Sequence, residues 1–180
     1  VPISGENRIL AHFGLQKLNQ NPRPGLKALK EIAAIKNDLD ISGIVFTLGP
    51  RINAAGRVAH AQGAVELLIA SSDEEANQLA EKVNIKNDLR REFDVNITEE
   101  AIAMIESNET LRAAKSTVLF KETWHKGVIG IVAARCVEKY YRPTVILTES
   151  NNKVTGSARS VKDFDLYKAI DGCSDLLEKF

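Results

Sequence analysis

The sequence predicts an α/β protein in which a helical half is followed by one long helix and then by an α/β portion with a small mixed sheet. Three observations carry this expectation. The first seventy residues hold helical periodicities and no convincing strand. Between Asp73 and Ser107 there is neither proline nor glycine. After Ser107 the pattern turns to strand, helix, strand, turn, strand and helix, which is the alternation that builds a sheet with helices against it.

Residues 6–20 read as a helix, with Ile9, Leu10, Phe13 and Leu18 at helical spacing and Gly14 weakening it. Asn21-Pro22-Arg23-Pro24-Gly25 is a break, and Leu26 to Ile35 a second helix. Asp38 to Ser42 reads as a turn with a cap. Ile44 to Leu48 is an apolar run too short for periodicity to decide between helix and strand. Gly63 to Ala70 is helical again. Ser71-Ser72-Asp73-Glu74-Glu75 is a strong helix start, with hydroxyl caps ahead of first-turn acids. Leu79, Val83, Leu89, Phe93, Ile97, Ile102 and Ile105 then form an apolar stripe. A helix of about 35 residues is about 50 Å long, which suits a connector between two lobes. The alternative is two helices kinked near Thr98-Glu99-Glu100.

Ser116 to Phe120 reads as a strand, Val128 to about Tyr140 as a helix and Pro143 to Thr148 as a buried strand. This first βαβ unit should be parallel and right-handed. Ser150-Asn151-Asn152 is a turn, Lys153 to Arg159 a polar strand, and Asp163 opens a last helix through Leu176 and Leu177. The expected boundaries are 1–72, 73–107 and 108–180.

Composition narrows the function. Formal net charge is zero, so any anion site must be local rather than a global basic field. Cys136 and Cys173 are far apart in a chain without a visible secretory segment. They read as buried, reduced thiols, and the expected location is cytoplasmic, with no membrane association. The chain begins Val1-Pro2 and its single methionine is Met104, which reads as a piece of a longer protein.

Three segments stand out as anion-ready. Gly49-Pro50-Arg51-Ile52-Asn53-Ala54-Ala55-Gly56-Arg57 combines two arginines and an amide with small residues that allow close approach. A helix–loop junction with two solvated arginines explains the same string. Trp124-His125-Lys126-Gly127-Val128-Ile129-Gly130 lies between a strand end and a helix start, where ligands and anions gather. A tight turn with an exposed histidine is the plainer reading. Arg135 sits within an apolar helical stretch, where an arginine either snorkels outward or pairs with an anion. Gly156-Ser157-Ala158-Arg159-Ser160 offers two hydroxyls and a guanidinium for a terminal phosphate, or simply a strand exit. Metal ligation is poorly supported, because His12, His60 and His125 have no second ligand at metal spacing. Asp38-Leu39-Asp40 and Asp163-Phe164-Asp165 read as caps.

In order and spacing, GPRINAAGR, residues 124–147 and residues 156–170 together resemble the RecJ-type single-stranded-DNA-specific exonucleases of the DHH phosphoesterase superfamily. The resemblance runs from Val1 to Phe180. It implies the helical end of a DHH domain over 1–72, a connector helix over 73–107 and the first part of the DHH-associated domain over 108–180. It also implies 5′-to-3′ degradation of single-stranded DNA in recombination and repair. Two Mn2+ or Mg2+ ions would activate the attacking water and clamp the leaving oxygen.

The chain departs from the family in lacking the DHH triplet, the upstream acidic motifs and the later glycine-glycine-histidine motif. The family's last metal-binding aspartate normally precedes a Val-Pro like Val1-Pro2. The resemblance therefore implies no metal ligands and no complete catalytic set in this chain, and no nuclease activity of the chain alone. Binding roles carry over. Arg51, Asn53 and Arg57 would line the nucleotide path. His125 and Arg135 would face the scissile region or the backbone. Ser157 and Arg159 would hold the 5′-terminal phosphate. The implied partners are single-stranded DNA with a 5′ phosphate and repair proteins such as a helicase or a single-strand-binding protein. Two other readings stay open: a non-catalytic module for single-stranded nucleic-acid ends, and a DHH-family phosphodiesterase for short RNA or cyclic dinucleotides.

Overall fold

The computed structural model describes residues 2–180. They divide into two compact units, Val1–Arg90 and Arg91–Phe180. Among the described residues no helix is long and apolar enough to cross a membrane.

The amino-terminal unit is helical. Helix α1 spans Glu6–Gln20 and α2 spans Pro24–Ile32, with Pro24 in the first turn, where its missing N–H costs nothing. Helix α2 is shorter than the sequence suggests, because Ala34 takes a left-handed φ of 54° and ends it before Ile35. The stripe expected to bury α1 does not: Leu18 is buried, whereas Ile9, Leu10 and Phe13 face solvent. Asp40 caps the three-residue helix α3 (Ile41–Gly43), its carboxylate accepting from Gly43 N–H at 2.6 Å. The undecided apolar run is a π-helical turn, Ile44–Leu48, which leads straight into α4 (Gly49–Val58). Helix α5 spans Gln62–Ile69.

Leu18, Leu29, Leu39, Leu48, Leu67 and Val83 anchor the core of this unit. At Gly25 a Cβ would lie 1.8 Å from the Leu67 carbonyl oxygen, so only glycine allows this approach to α5.

Helix α6 runs unbroken over Asp73–Glu106, so the chain does not divide into two helices near Thr98. Its start is a capping box. Ser72 Oγ accepts from Glu75 N–H at 3.2 Å, and the Glu75 carboxylate accepts from Ser71 N–H at 3.3 Å. The buried positions step by three and four through Ala76, Ala80, Val83 and Asn87, and again through Asp94, Ile97, Ala101 and Ile105. Two polar residues thus lie on the stripe that the sequence suggests is purely apolar.

The carboxy-terminal unit holds the sheet. A short helix α7 (Glu109–Ala113), not expected from the sequence, is capped by Asn108, which accepts from Leu111 N–H at 3.0 Å. Strand β1 (Thr117–Phe120) pairs parallel with β2 (Thr144–Ser150) in the register Thr117 to Thr144. Helix α8 (Ile129–Tyr140) makes the crossover. Strand β3 (Lys153–Arg159) pairs antiparallel with β2, Ile146 opposite Ser157 and Thr144 opposite Arg159. The order is β1-β2-β3, a small mixed sheet as expected. Asn151 and Asn152 make the hairpin at φ values of 55° and 58°, the backbone that a two-residue turn with matching twist demands.

Arg142 clamps this unit. It is buried, donates from Nε to Thr117 Oγ1 at 2.7 Å and from Nη2 to the Leu111 carbonyl at 2.8 Å, and also reaches the Arg112 and Ala114 carbonyls. Its charge is matched by the carbonyl end of α7.

The last helix differs from expectation. Asp163 has a φ of 65° and cannot begin it, so Asp165 is the cap, accepting from Lys168 N–H at 3.1 Å. Helix α9 covers only Leu166–Asp171 and is followed by a 3-10 turn, Ser174–Leu176. Both cysteines are free, but only Cys136 is buried, and burial pushes its thiol pKa up. Cys173 is exposed, because it lies where α9 has already stopped.

Candidate nucleic-acid interface

Gly130, Ser157 and Arg159 come together in the carboxy-terminal unit. Ser157 and Arg159 are two apart on β3 and so share a face. Their partners Ile146 and Thr144 are fully buried, which identifies that face as the inner one. Gly130 stands in the first turn of α8. A Cβ there would be 2.8 Å from Ser157 Oγ and 3.3 Å from Arg159 Nη2. The absent side chain is what lets a hydroxyl and a guanidinium sit against the helix start. That turn has no acidic residue and no side-chain cap. The partial positive charge of the helix end adds to Arg159, and the arrangement suits an anion. Ser160, the second hydroxyl of the segment, is otherwise engaged and donates to the Phe164 carbonyl at 2.7 Å.

The loop before α8 is tightly held. Trp124 is buried and donates from Nε1 to Glu100 at 2.7 Å, while Thr148 Oγ1 donates to the Trp124 carbonyl at 2.6 Å. Hydrogen bonds from Lys121 and then from Trp124 hold the Glu100 carboxyl below its usual range. His125 stacks on Phe93 with ring centroids 5.0 Å apart and planes 12° from parallel. Its Nδ1 accepts from Gly127 N–H at 3.2 Å. The neutral ring therefore carries its proton on Nε2. Burial, and after it Lys126, pushes the His125 pKa down, so the neutral form is favoured.

Arg135 is half-exposed and paired. Its Nε and Nη2 each donate to Asp94 at 2.8 Å, a two-point pair. The Asp94 side chain is 3% exposed and that of Arg135 is 48% exposed. The snorkelling and pairing alternatives are both realised, since the anion that it meets is one of this chain's own.

The GPRINAAGR segment lies in the amino-terminal unit and is a helix rather than a loop. Asn53 and Arg57, one turn apart, share its exposed face. Arg51 turns elsewhere, donating from Nε to Asn84 of α6 at 3.1 Å and from Nη1 to the Thr47 carbonyl at 2.9 Å. Ala54 and Ala55 are wholly buried, so those small residues serve helix packing and not ligand approach. Among the described residues no three histidine, cysteine, aspartate or glutamate side chains converge on a metal position. Asp40 and Asp165 are caps, as expected.

Sequence reasoning did not find the holding roles of Phe93, Asp94, Glu100 and Trp124, although it named Trp124 in a candidate segment and Phe93 in the apolar stripe. The available signal was Asp94, a carboxylate on an otherwise apolar helical stripe.

Residues 111–178 match the DHHA1 domain family. The chain is 36% identical over 183 residues to the single-stranded-DNA-specific exonuclease RecJ of Bacillus subtilis (strain 168), a match that takes in 100% of this chain and 23% of that protein. Among solved structures, RecJ from Thermus thermophilus in complex with Mg2+ superposes with a TM-score of 0.87 at 28% identity, over 99% of this chain and 27% of the other. The same protein in complex with Mn2+ gives a TM-score of 0.87 at 28% identity, over 99% and 26%. The chain thus spans about a quarter of the length of these relatives. Over the stretch that it spans the chain is similar to RecJ in sequence and in fold, and its residues 111–178 match the DHHA1 domain family.

Proposed function

We propose that this chain is the strand-holding portion of a 5′-to-3′ single-stranded-DNA exonuclease of recombination and repair, working in the cytoplasm. In this reading residues 1–72 end a DHH domain, 73–107 connect, and 108–180 begin the DHH-associated domain. Mn2+ or Mg2+, named in the relatives' structures, would supply the activated water in the whole protein. The described residues of this chain do not fit that metal pair, having no ligand cluster for it. Their part is to bind and orient.

Ser157 and Arg159, with the start of α8, hold the 5′-terminal phosphate. His125 presents Nε2–H towards the backbone. Arg135, fixed by Asp94, keeps its outward donors for the strand, and Asn53 and Arg57 offer contacts along the nucleotide path, with Arg51 bracing their helix. Helicases and single-strand-binding proteins are the partner class that such an activity needs.

The single observation that carries the reading is the space left at Gly130, within 3.3 Å of both Ser157 Oγ and Arg159 Nη2. The test is a titration of the chain with 5′-phosphate and 5′-hydroxyl oligonucleotides. Tighter binding of the phosphorylated strand, lost in Arg159→Ala, is expected. Equal affinities in the unaltered chain would refute the assignment. Release of mononucleotides by this chain with Mn2+ would refute its purely binding role.

A further inference from the structure

A second anion-ready place lies wholly within the amino-terminal unit. A cleft of about 290 Å³ opens beside α5 and α6, with His60, Gln62, Gly63, Glu66, Lys82 and Lys86 on its walls. Lys82 and Lys86 are one turn apart on α6, so their ammonium groups share a face and repel each other. Neither has an ion-pair partner among the described residues, whereas Lys27, Lys121, Lys139 and Lys153 each meet a carboxylate. Lys86 Nζ lies over the opening of α5, where a Cβ on Gly63 would be 3.5 Å from it. Helix α5 has neither a capping side chain nor an acid in its first turn. The positive end of that helix therefore adds to the lysines instead of offsetting them. The one carboxylate of the cleft, Glu66, accepts a hydrogen bond from Gln62 at 2.8 Å. Two lysine charges thus face a single carboxylate, and the cleft keeps a net positive charge.

We propose that this cleft grips a backbone phosphate of single-stranded nucleic acid through Lys82 and Lys86. The proposal rests on the strand-binding reading above and adds a contact site to it. Lysine ammoniums are point charges suited to sequence-independent phosphate contact. The lining holds no Phe, Tyr or Trp, and His60 is its one ring beside two lysines, so the cleft favours the backbone over the base. Its volume, just below the roughly 300–1,000 Å³ usual for ligand clefts, suits one phosphate with its sugar.

The test uses the 180-residue chain and 5′-hydroxyl single strands, which leave the terminal-phosphate grip out of the comparison. Affinity is followed across a series of salt concentrations. In the Lys82→Gln/Lys86→Gln variant the slope of log K against log salt becomes shallower by about 0.7 for each phosphate no longer neutralised. The Lys82→Arg/Lys86→Arg variant keeps the original slope. Lys27→Gln, which removes a lysine already paired with Asp73, leaves it unchanged. An unchanged slope in the double glutamine variant, with strand binding otherwise intact, overturns this site and leaves the proposed function standing. Inorganic phosphate that shifts the Gly63 and Lys86 NMR signals without that change in slope identifies a free-anion site and overturns the backbone assignment. Failure of the unaltered chain to bind any strand overturns both readings.

Discussion

Replacing Gly130 by alanine separates the proposed anion site from the fold that carries it. The new Cβ would sit 2.8 Å from Ser157 Oγ, closer than real Cβ contacts come, and 3.3 Å from Arg159 Nη2. Both atoms end side chains, so relief comes from rotating Ser157 and displacing the guanidinium and not from moving backbone. Alanine is also the better helix former by up to about 1 kcal/mol, which offsets part of the crowding. Stability should therefore change little. The casualty is the placement of two donors, one of them charged. A hydrogen bond to a charged group contributes about 1.5–3 kcal/mol. At about 1.4 kcal/mol per tenfold, losing one such bond weakens 5′-phosphate binding by roughly 10- to 100-fold.

The assay is fluorescence anisotropy with matched 5′-phosphate and 5′-hydroxyl strands, beside a thermal melt of the same variant. The expected result is a melting temperature near that of the unaltered chain and a collapsed preference for the phosphate. A preserved preference would refute the reasoning, because it would mean that neither Ser157 nor Arg159 needs the position that Gly130 leaves open.

Arg135→Ala takes two charge-assisted hydrogen bonds from the nearly buried Asp94 carboxylate and should cost about 1.5–3 kcal/mol. Chemical denaturation checks this, and an unchanged midpoint would contradict it. His125 predicts a pH effect. Its folded pKa lies below the ordinary value of about 6.5, so the unfolded chain takes up the proton first and stability drops as pH falls through and below that value. The drop should vanish in His125→Gln, as read by melting temperature between about pH 8 and 5. Gly25→Ala sets a Cβ 1.8 Å from the Leu67 carbonyl oxygen, and because backbone must move, it should destabilise by at least about 1–3 kcal/mol on urea unfolding. An unchanged midpoint would mean that α2 and α5 are less closely fixed than they look.

Local signals in the sequence carry most of the fold. Ser72 and Glu75 announce the start of α6, and the lack of any helix breaker afterwards accounts for its full length. Asn151-Asn152 announces a tight hairpin, because asparagine tolerates the left-handed backbone. The end of α2 and the start of α9 are not legible in this way, because Ala34 and Asp163 adopt left-handed angles that nothing in their residue type demands. On α6 an apolar template hides the true stripe. Asn87 and Asp94 lie on its buried face, which tolerates a carboxylate because an arginine 41 residues away completes it.

The arginines show why the site is harder to read than the fold. Sequence assigns the same anion-gripping chemistry to Arg51, Arg135 and Arg159, since the guanidinium is identical in each. The difference lies in partners supplied from far along the chain. Asn84, 33 residues away, engages Arg51, and Asp94 engages Arg135, just as the carbonyls at the end of α7 engage Arg142. Arg159 meets no carboxylate among the described residues, and its Nη1 donates to the neighbouring Ala158 carbonyl at 2.8 Å. It lies on an edge strand, beside a helix start that repels cations and next to a glycine that makes room. A cation left in that position is held against its own electrostatic preference. An anion bound between Arg159 and α8 relieves the repulsion, and so the loss of phosphate preference in Arg159→Ala should exceed that in Arg135→Ala, whose charge Asp94 already meets.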